Sequence, residues 1–321
     1  MEMKMKVSAR APWVVSASVS VIVFFPTDIF GQKPVPRDAD PLTRSSLPYS
    51  QSKTTIMTEP KIDEVFLKNL PRGFEYPSDS AGNLLMREYG AVFVARGGVT
   101  PPKKVVFRDE DEVLTFQASF KSSQLMIGKD RIELQTSAME SLKDAIKEAG
   151  KVGLTISPRG AGSARRGYDQ TVSFWASRVN PGLAYWVGKK RMSSAEADRI
   201  RRMTPYQQVP EILRLEEQKI YFAKDLSKSI IYSVAPPGTS QHLSMLALDV
   251  TEFADGRVRA ILAKNGWYQT VVSDLPHFTY LGASESKLKD LGLRRIVNNE
   301  RSFWVPATAF VVDRAVGNEK D

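Results

Sequence analysis

Ser240-Gln241-His242-Leu243-Ser244-Met245-Leu246-Ala247-Leu248-Asp249-Val250 (SQHLSMLALDV) holds one of the two histidines in this 321-residue chain, and a carboxylate seven positions further on. Side chains on a straight strand alternate, so this odd separation would send His242 and Asp249 to opposite faces. They meet only if the chain turns between them, with His242 on the entering loop and Asp249 inside a strand. The pattern predicts a strand over 244–250, with Ala247 and Asp249 on one side and Leu246, Leu248 and Val250 filling the core on the other. The second histidine, His277, heads the run Phe278-Thr279-Tyr280-Leu281, with Asp274 three positions before it. Three nitrogen and oxygen ligands leave a fourth tetrahedral position open, the arrangement of catalytic rather than structural zinc. On spacing alone, a zinc set of His242, Asp249 and His277 and a pair of ordinary hydrogen-bonded histidines both stand.

Ser240-x-His242 with Ala247-x-Asp249, followed by His277-Phe-x-Tyr280-x-Gly282, resembles the zinc D-alanyl-D-alanine carboxypeptidases and dipeptidases of the VanY type. Their fold is shared with lysostaphin-like endopeptidases and the hedgehog signalling domain. The family pattern is Ser-x-His-x-x-Gly-x-Ala-x-Asp and then Glu-x-x-His, with an upstream Ser-x-x-Arg-x-Tyr that Ser163-Ala-Arg-Arg166-Gly-Tyr168 matches. The likeness covers roughly residues 150–285. It implies Zn²⁺ held by His242, Asp249 and His277, which would activate a water and polarise the scissile carbonyl. It also implies Asp274 as general base and Arg166 as a fork for the substrate's carbonyl or carboxylate, with Arg165 competing for that role. Ser240 and Tyr168 are the implied substrate-binding residues, and a D-amino-acid-containing peptidoglycan peptide is the implied substrate. Three positions depart from the pattern. Asp274 is one methylene shorter than glutamate, Met245 stands at the glycine, and Pro276 replaces a tryptophan. A catalytically degenerate peptidoglycan-binding protein of the same fold is therefore the alternative expectation.

The remainder of the chain fits an exported protein. Lys4, Lys6 and Arg10 precede the apolar run Val14–Phe25, which Pro26 breaks, with small Gly31 at the exit. This reads as a signal peptide over 1–31, with a retained anchor as the other possibility. The run falls short of the roughly 20 apolar residues of a spanning helix, so no stable membrane insertion is expected after its removal. Residues 32–60, rich in Pro, Ser, Thr and Asp, read as a flexible linker. The expected location is periplasmic or cell-wall associated. The formal charge is +9, and the leader's three basic and two acidic residues leave +8 beyond it. Outside the cytoplasm such an excess suits an anionic wall polymer, and no nucleic-acid partner is expected. The absence of cysteine excludes disulfides, thiolate ligands, a cysteine nucleophile and a lipoprotein anchor.

Periodicity divides the body into an N-terminal α/β region, 61–149, and a zinc-peptidase-like domain, 150–321. Short strands are expected at 89–95, 105–107, 131–134, 154–157, 268–272 and 278–281. Helices are expected at 109–120, from Thr136 to Gly150, across much of 168–219, and at 256–266, with Ser193-Ser-Ala-Glu196 as a capping pattern. Irregular alternation without βαβ spacing predicts an α+β fold, a mostly antiparallel central sheet flanked by helices. Gly160-Ala-Gly162 is too short a glycine motif to argue for a nucleotide, and both histidines are better used as ligands than in a serine triad.

Overall fold

Asp249 and His277 stand directly opposite one another on two antiparallel strands, and the rest of the fold holds those strands in place. The structure, a computed structural model, describes residues 61–309. The expected signal peptide and linker lie outside the described residues. In chain order the elements are β1 (Lys61–Ile62), α1 (Glu64–Lys68), α2 (Ser80–Tyr89), α3 (Glu110–Gln117), β2 (Ser122–Ile127), β3 (Asp130–Gln135), α4 (Thr136–Lys151), α5 (Tyr168–Gly188), α6 (Ser194–Arg201) and α7 (Pro205–Glu217). Then follow β4 (Ala247–Asp249), α8 (Gly256–Lys264), β5 (Trp267–Tyr268), β6 (His277–Tyr280), β7 (Leu293–Asn298), β8 (Arg301–Pro306) and β9 (Thr308–Ala309).

The architecture is α+β and its strand pairs are antiparallel. Instead of one broad central sheet, the described strands form three two-stranded pairs and a three-stranded sheet of order β4-β6-β5. The three-stranded sheet carries the candidate site. Its register sets Ala247 against Thr279, Leu248 against Phe278 and Asp249 against His277. Cross-strand partners share a face, so Asp249, His277, Ala247 and Thr279 lie on one side and Leu248 and Phe278 on the other. Phe278 and Leu248 are buried in the main core, which also takes in side chains from 61–149 such as Phe66, Ile132 and Met139. Truncating a buried phenylalanine such as Phe278 costs about 3–5 kcal/mol, so the far face anchors the site face.

Helix starts follow their local chemistry. Asp109 caps α3 and Ser193 caps α6, each side chain accepting the amide hydrogen three residues on. Thr204 and Gln207 form a reciprocal capping box at α7. Several expected strands are something else. Residues 89–95 close α2 and continue as a buried 3-10 turn, Gly90–Val94. An uninterrupted apolar run is ambiguous between helix and strand, because alternation disappears when both faces are buried. Residues 105–107 form no strand, although the Phe107 amide donates to Gly238 O at 3.0 Å. Residues 154–157 end in a single bridge, Pro158 to Val250. The β7–β8 hairpin, missed in the sequence, turns on Asn299 and Glu300 at φ 47° and 62°, the double positive φ of a tight hairpin turn.

Candidate metal centre

His242 reaches the site on a 3-10 turn, Gln241–Ser244, which ends at Met245 with φ 57° and ψ 29°. This is the turn that the seven-residue spacing required. The left-handed conformation costs a side-chain-bearing residue about 1–2 kcal/mol, a cost that glycine would not bear. Met245 is 1% exposed, and burying such a side chain contributes about 1.5–3 kcal/mol, enough to offset the strain. Upstream, Gly238 permits the close approach that aims Ser240 and His242. A Cβ at Gly238 would stand 1.9 Å from Phe107 O.

Three donor atoms converge. His242 Nε2 lies 3.3 Å from Asp249 Oδ1, and His277 Nδ1 lies 3.3 Å from the same oxygen. The two ring nitrogens are 3.1 Å apart. Two ligands bound at about 2.0–2.1 Å and at a tetrahedral angle lie about 3.3 Å from each other, so the triangle fits zinc. Proton positions strengthen the fit. His242 Nδ1 is 2.8 Å from Ala164 O, a carbonyl that can only accept, so the neutral ring carries its hydrogen there and Nε2 is bare. His277 Nε2 is 2.8 Å from Gln241 Oε1, also an acceptor, which leaves His277 Nδ1 bare. Asp249 Oδ1 is buried and has no hydrogen-bond partner. Three lone-pair acceptors thus face one another in a dry corner, an arrangement that a cation relieves and that nothing else among the described residues does.

Protonation supports the same picture. Burial pushes His242 below the ordinary histidine range, against the pull of the Asp249 carboxylate, so its ring is neutral. Burial acts to raise the Asp249 carboxyl, but a charged imidazole beside it outweighs burial and holds the group well below the usual carboxylate range. The other carboxylate oxygen, Oδ2, is 2.7 Å from Arg166 Nη2. Arg166 is itself fixed by Gly162 O at 3.0 Å from its Nε and by the Phe174 ring 5.5 Å from its Cζ. The guanidinium therefore occupies one oxygen of Asp249 and leaves the other to the histidines.

A cleft of about 290 Å³ opens over these groups. Arg166, Ser240, His242, Asp274 and His277 line it, with Phe174, Tyr232 and Val271 supplying apolar wall. Asp274 is exposed, in the turn whose backbone carbonyl accepts from the His277 amide at 3.2 Å. Its carboxylate makes no hydrogen bond or ion pair among the described residues. Arg165 points elsewhere, to Gln117 and Glu133 at 3.0 and 2.9 Å, so of the two arginines only Arg166 faces the cleft. Tyr168 does not line the cleft. Its hydroxyl donates to Arg108 O at 2.7 Å and its ring packs with Phe107, Val113 and Leu243. Burial, with nearby Asp109, Asp169 and Glu112, raises that hydroxyl to about 12.

Some residues that shape the site gave no usable signal in the sequence. Gln241, beside His242, bonds to the other histidine. Glu216, at the end of α7, accepts the amides of Phe222 and Ile230 at 3.1 and 2.7 Å and so hangs the cleft wall around Ile231–Ala235. Tyr89 donates its hydroxyl to Ile231 O at 2.8 Å and pins the same wall from α2.

No family model matches the chain, and no curated protein matches it in sequence. Among solved structures, the chain is similar to the vancomycin resistance D,D-pentapeptidase VanY of a VanB-type resistance cassette, a mutant in complex with Zn(II). The identity is 18% and the TM-score 0.31, covering 55% of this chain and 85% of that one. It is also similar to VanYB in complex with D-alanine-D-alanine, at 16% identity and TM-score 0.31, covering 54% and 84%. Likeness at that level assigns no function to this chain.

Proposed function

We propose that this protein is an exported zinc peptidase acting on D-amino-acid-containing peptides of the cell wall, with a hedgehog/DD-peptidase-like arrangement around its metal. The observation that carries the metal reading is the triangle of bare donors, His242 Nε2, Asp249 Oδ1 and His277 Nδ1, with every opposing atom of these side chains committed elsewhere. The substrate class rests on the sequence pattern around Ser240, His242, Asp249 and His277, and both solved chains named above fit it: one holds zinc and the other D-alanine-D-alanine. Zinc supplies Lewis-acid polarisation of a carbonyl and lowers the pKa of a water molecule. The Asp274 carboxylate, on the rim of the same cleft, would be the general base toward an attacking water and the general acid toward the departing amine. Arg166 holds Asp249 in register and presents the rest of its fork to the cleft, where a substrate carbonyl or carboxylate is a matching acceptor. The Ser240 hydroxyl offers a further hydrogen bond there. The cleft is at the small end of ligand pockets, which suits the terminal residues of a peptide.

The exposed, unanchored Asp274 favours one other reading, a degenerate protein of this fold that binds wall peptide without cutting it. One experiment separates the two. Zinc-loaded protein is incubated with a wall peptide ending in D-Ala-D-Ala, beside Asp274→Asn with its zinc content verified. The peptidase reading expects turnover that falls about 10²–10⁴-fold in the variant. Peptide binding without turnover in both proteins would establish the binding module.

A further inference from the structure

We infer that Gln241 is a positioning residue which fixes the nitrogen that His277 offers to a metal, and that it is itself set by a backbone carbonyl from α2. This rests on the metal reading above and adds to it. Gln241 is 3% exposed, and its amide is held at both ends. Nε2 lies 2.8 Å from Tyr89 O. A carbonyl only accepts, so the NH₂ end must face Tyr89 and Oε1 must face the other way. Oε1 then meets His277 Nε2 at 2.8 Å, the Thr270 hydroxyl at 3.1 Å and the Thr279 hydroxyl. An amide oxygen only accepts, so His277 Nε2 donates to it, while the two threonine hydroxyls, 2.7 Å apart, divide their hydrogens between this oxygen and one another. The neutral His277 ring therefore carries its hydrogen on Nε2, and Nδ1 is the bare nitrogen in the donor triangle.

The opposite amide orientation would have an opposite result. An NH₂ turned toward His277 would donate to Nε2 and move the ring hydrogen to Nδ1. That hydrogen would point at His242 Nε2, 3.1 Å away, and close the triangle with an ordinary hydrogen bond. The Tyr89 carbonyl excludes this state, because it would face the amide oxygen. The segment 61–149 thus has a role in the site, delivered through the last residue of α2. Ligating histidines commonly donate their second nitrogen to a carboxylate, carbonyl or water. Here a glutamine side chain does so, from the position next to the other histidine.

The test uses the two-histidine composition, which makes the imidazole spectrum simple. Long-range ¹H–¹⁵N correlation spectra of the metal-free full chain, taken at alkaline pH, report the tautomer of each ring. The inference expects His242 protonated on Nδ1 and His277 on Nε2. In Gln241→Leu, His277 becomes a tautomer mixture while His242 is unchanged, and zinc affinity measured against a competing chelator falls about 10–100-fold. A wild-type His277 protonated on Nδ1 would overturn the inference, as would Gln241→Leu leaving tautomer and affinity unaltered. If the leucine variant does not fold, the wild-type spectrum decides. Expected tautomers in a folded protein that takes up no zinc would support the role of Gln241 and overturn the metal reading alone.

Discussion

Asp249 and Asp274 belong to the same site and differ in nearly everything around them. Asp249 lies on β4, opposite His277, with one oxygen on Arg166 and the other facing two imidazoles. Asp274 lies in an exposed turn at the mouth of the cleft, and its side chain is held by nothing among the described residues. The difference separates two tasks. Holding a cation asks for donors fixed before the cation arrives, and Asp249 is fixed by its strand and by Arg166 on Oδ2. Moving a proton asks for reach, which an unanchored carboxylate on a shorter side chain has only when substrate closes over it. On the proposed reading, the fold presets the groups that would hold a metal, and catalysis would depend on the looser limb.

The largest expected effect comes from breaking the fixed limb. Asp249→Ala removes one of three donors and leaves the Arg166 guanidinium partly buried without its carboxylate. Zinc binding is expected to vanish at micromolar metal, and stability to fall by about 3–5 kcal/mol, as for one partner stripped from a buried pair. Metal analysis and denaturant unfolding check the two parts. Unchanged zinc content would show that the histidines suffice. A smaller effect is expected from Arg166→Ala, which frees Oδ2 and loosens Asp249. If Arg166 chiefly orients the ligand, zinc affinity falls about 10–100-fold. A loss confined to KM, with affinity for zinc intact, would instead make it a substrate residue.

Acid sharpens the comparison further. His242 and Asp249 both have lowered pKa values in the folded chain, so the unfolded chain binds more protons at these two positions. Their stabilisation is complete above the ordinary histidine value of about 6.5 and is lost as pH falls below it, first through His242 and then through Asp249. The Tm of the metal-free protein should decline as pH drops from about 7 to about 5. A flat or rising Tm over that interval would contradict the assignment of a buried neutral ring. The smallest effect is expected at Met245. Glycine there relieves about 1–2 kcal/mol of backbone strain but forfeits a buried side chain of greater value, about 2–5 kcal/mol for comparable truncations. Met245→Gly should therefore be mildly destabilised in urea, with zinc affinity unchanged. A gain in stability would show that strain outweighs packing.

Spacing alone left the candidate triad open, and the family resemblance around Ser240, His242, Asp249 and His277 singled it out. Odd spacing demanded a turn, and the 3-10 turn ending at Met245 supplies it. The helices from 109 onward were readable through capping residues and the 3.6-residue period. The α+β class followed from their irregular alternation with short strands. Residues 89–95 hold a buried 3-10 turn, Gly90–Val94, where the composition predicts a strand, because a fully buried run has no period to separate the two. The expected central sheet gives way to several small sheets among the described residues, because two- and three-residue strands carry too little pattern to show which of them pair. Gln241, Glu216 and Tyr89 escaped notice for another reason. Each acts on a partner that is remote in sequence, Gln241 on His277 and Tyr89 on Ile231, and no local spacing encodes such a contact. Tyr168 shows the converse, a residue implied by motif whose hydroxyl is committed to Arg108 O outside the cleft.

The central claim, that three bare donors form a zinc site, is tested most directly by titrating zinc into the metal-free protein calorimetrically, with Asp249→Ala as control. The account predicts saturation at one zinc per chain in the wild type and no binding in the variant. A folded wild-type protein that takes up no zinc, or a variant that takes up as much, would contradict it.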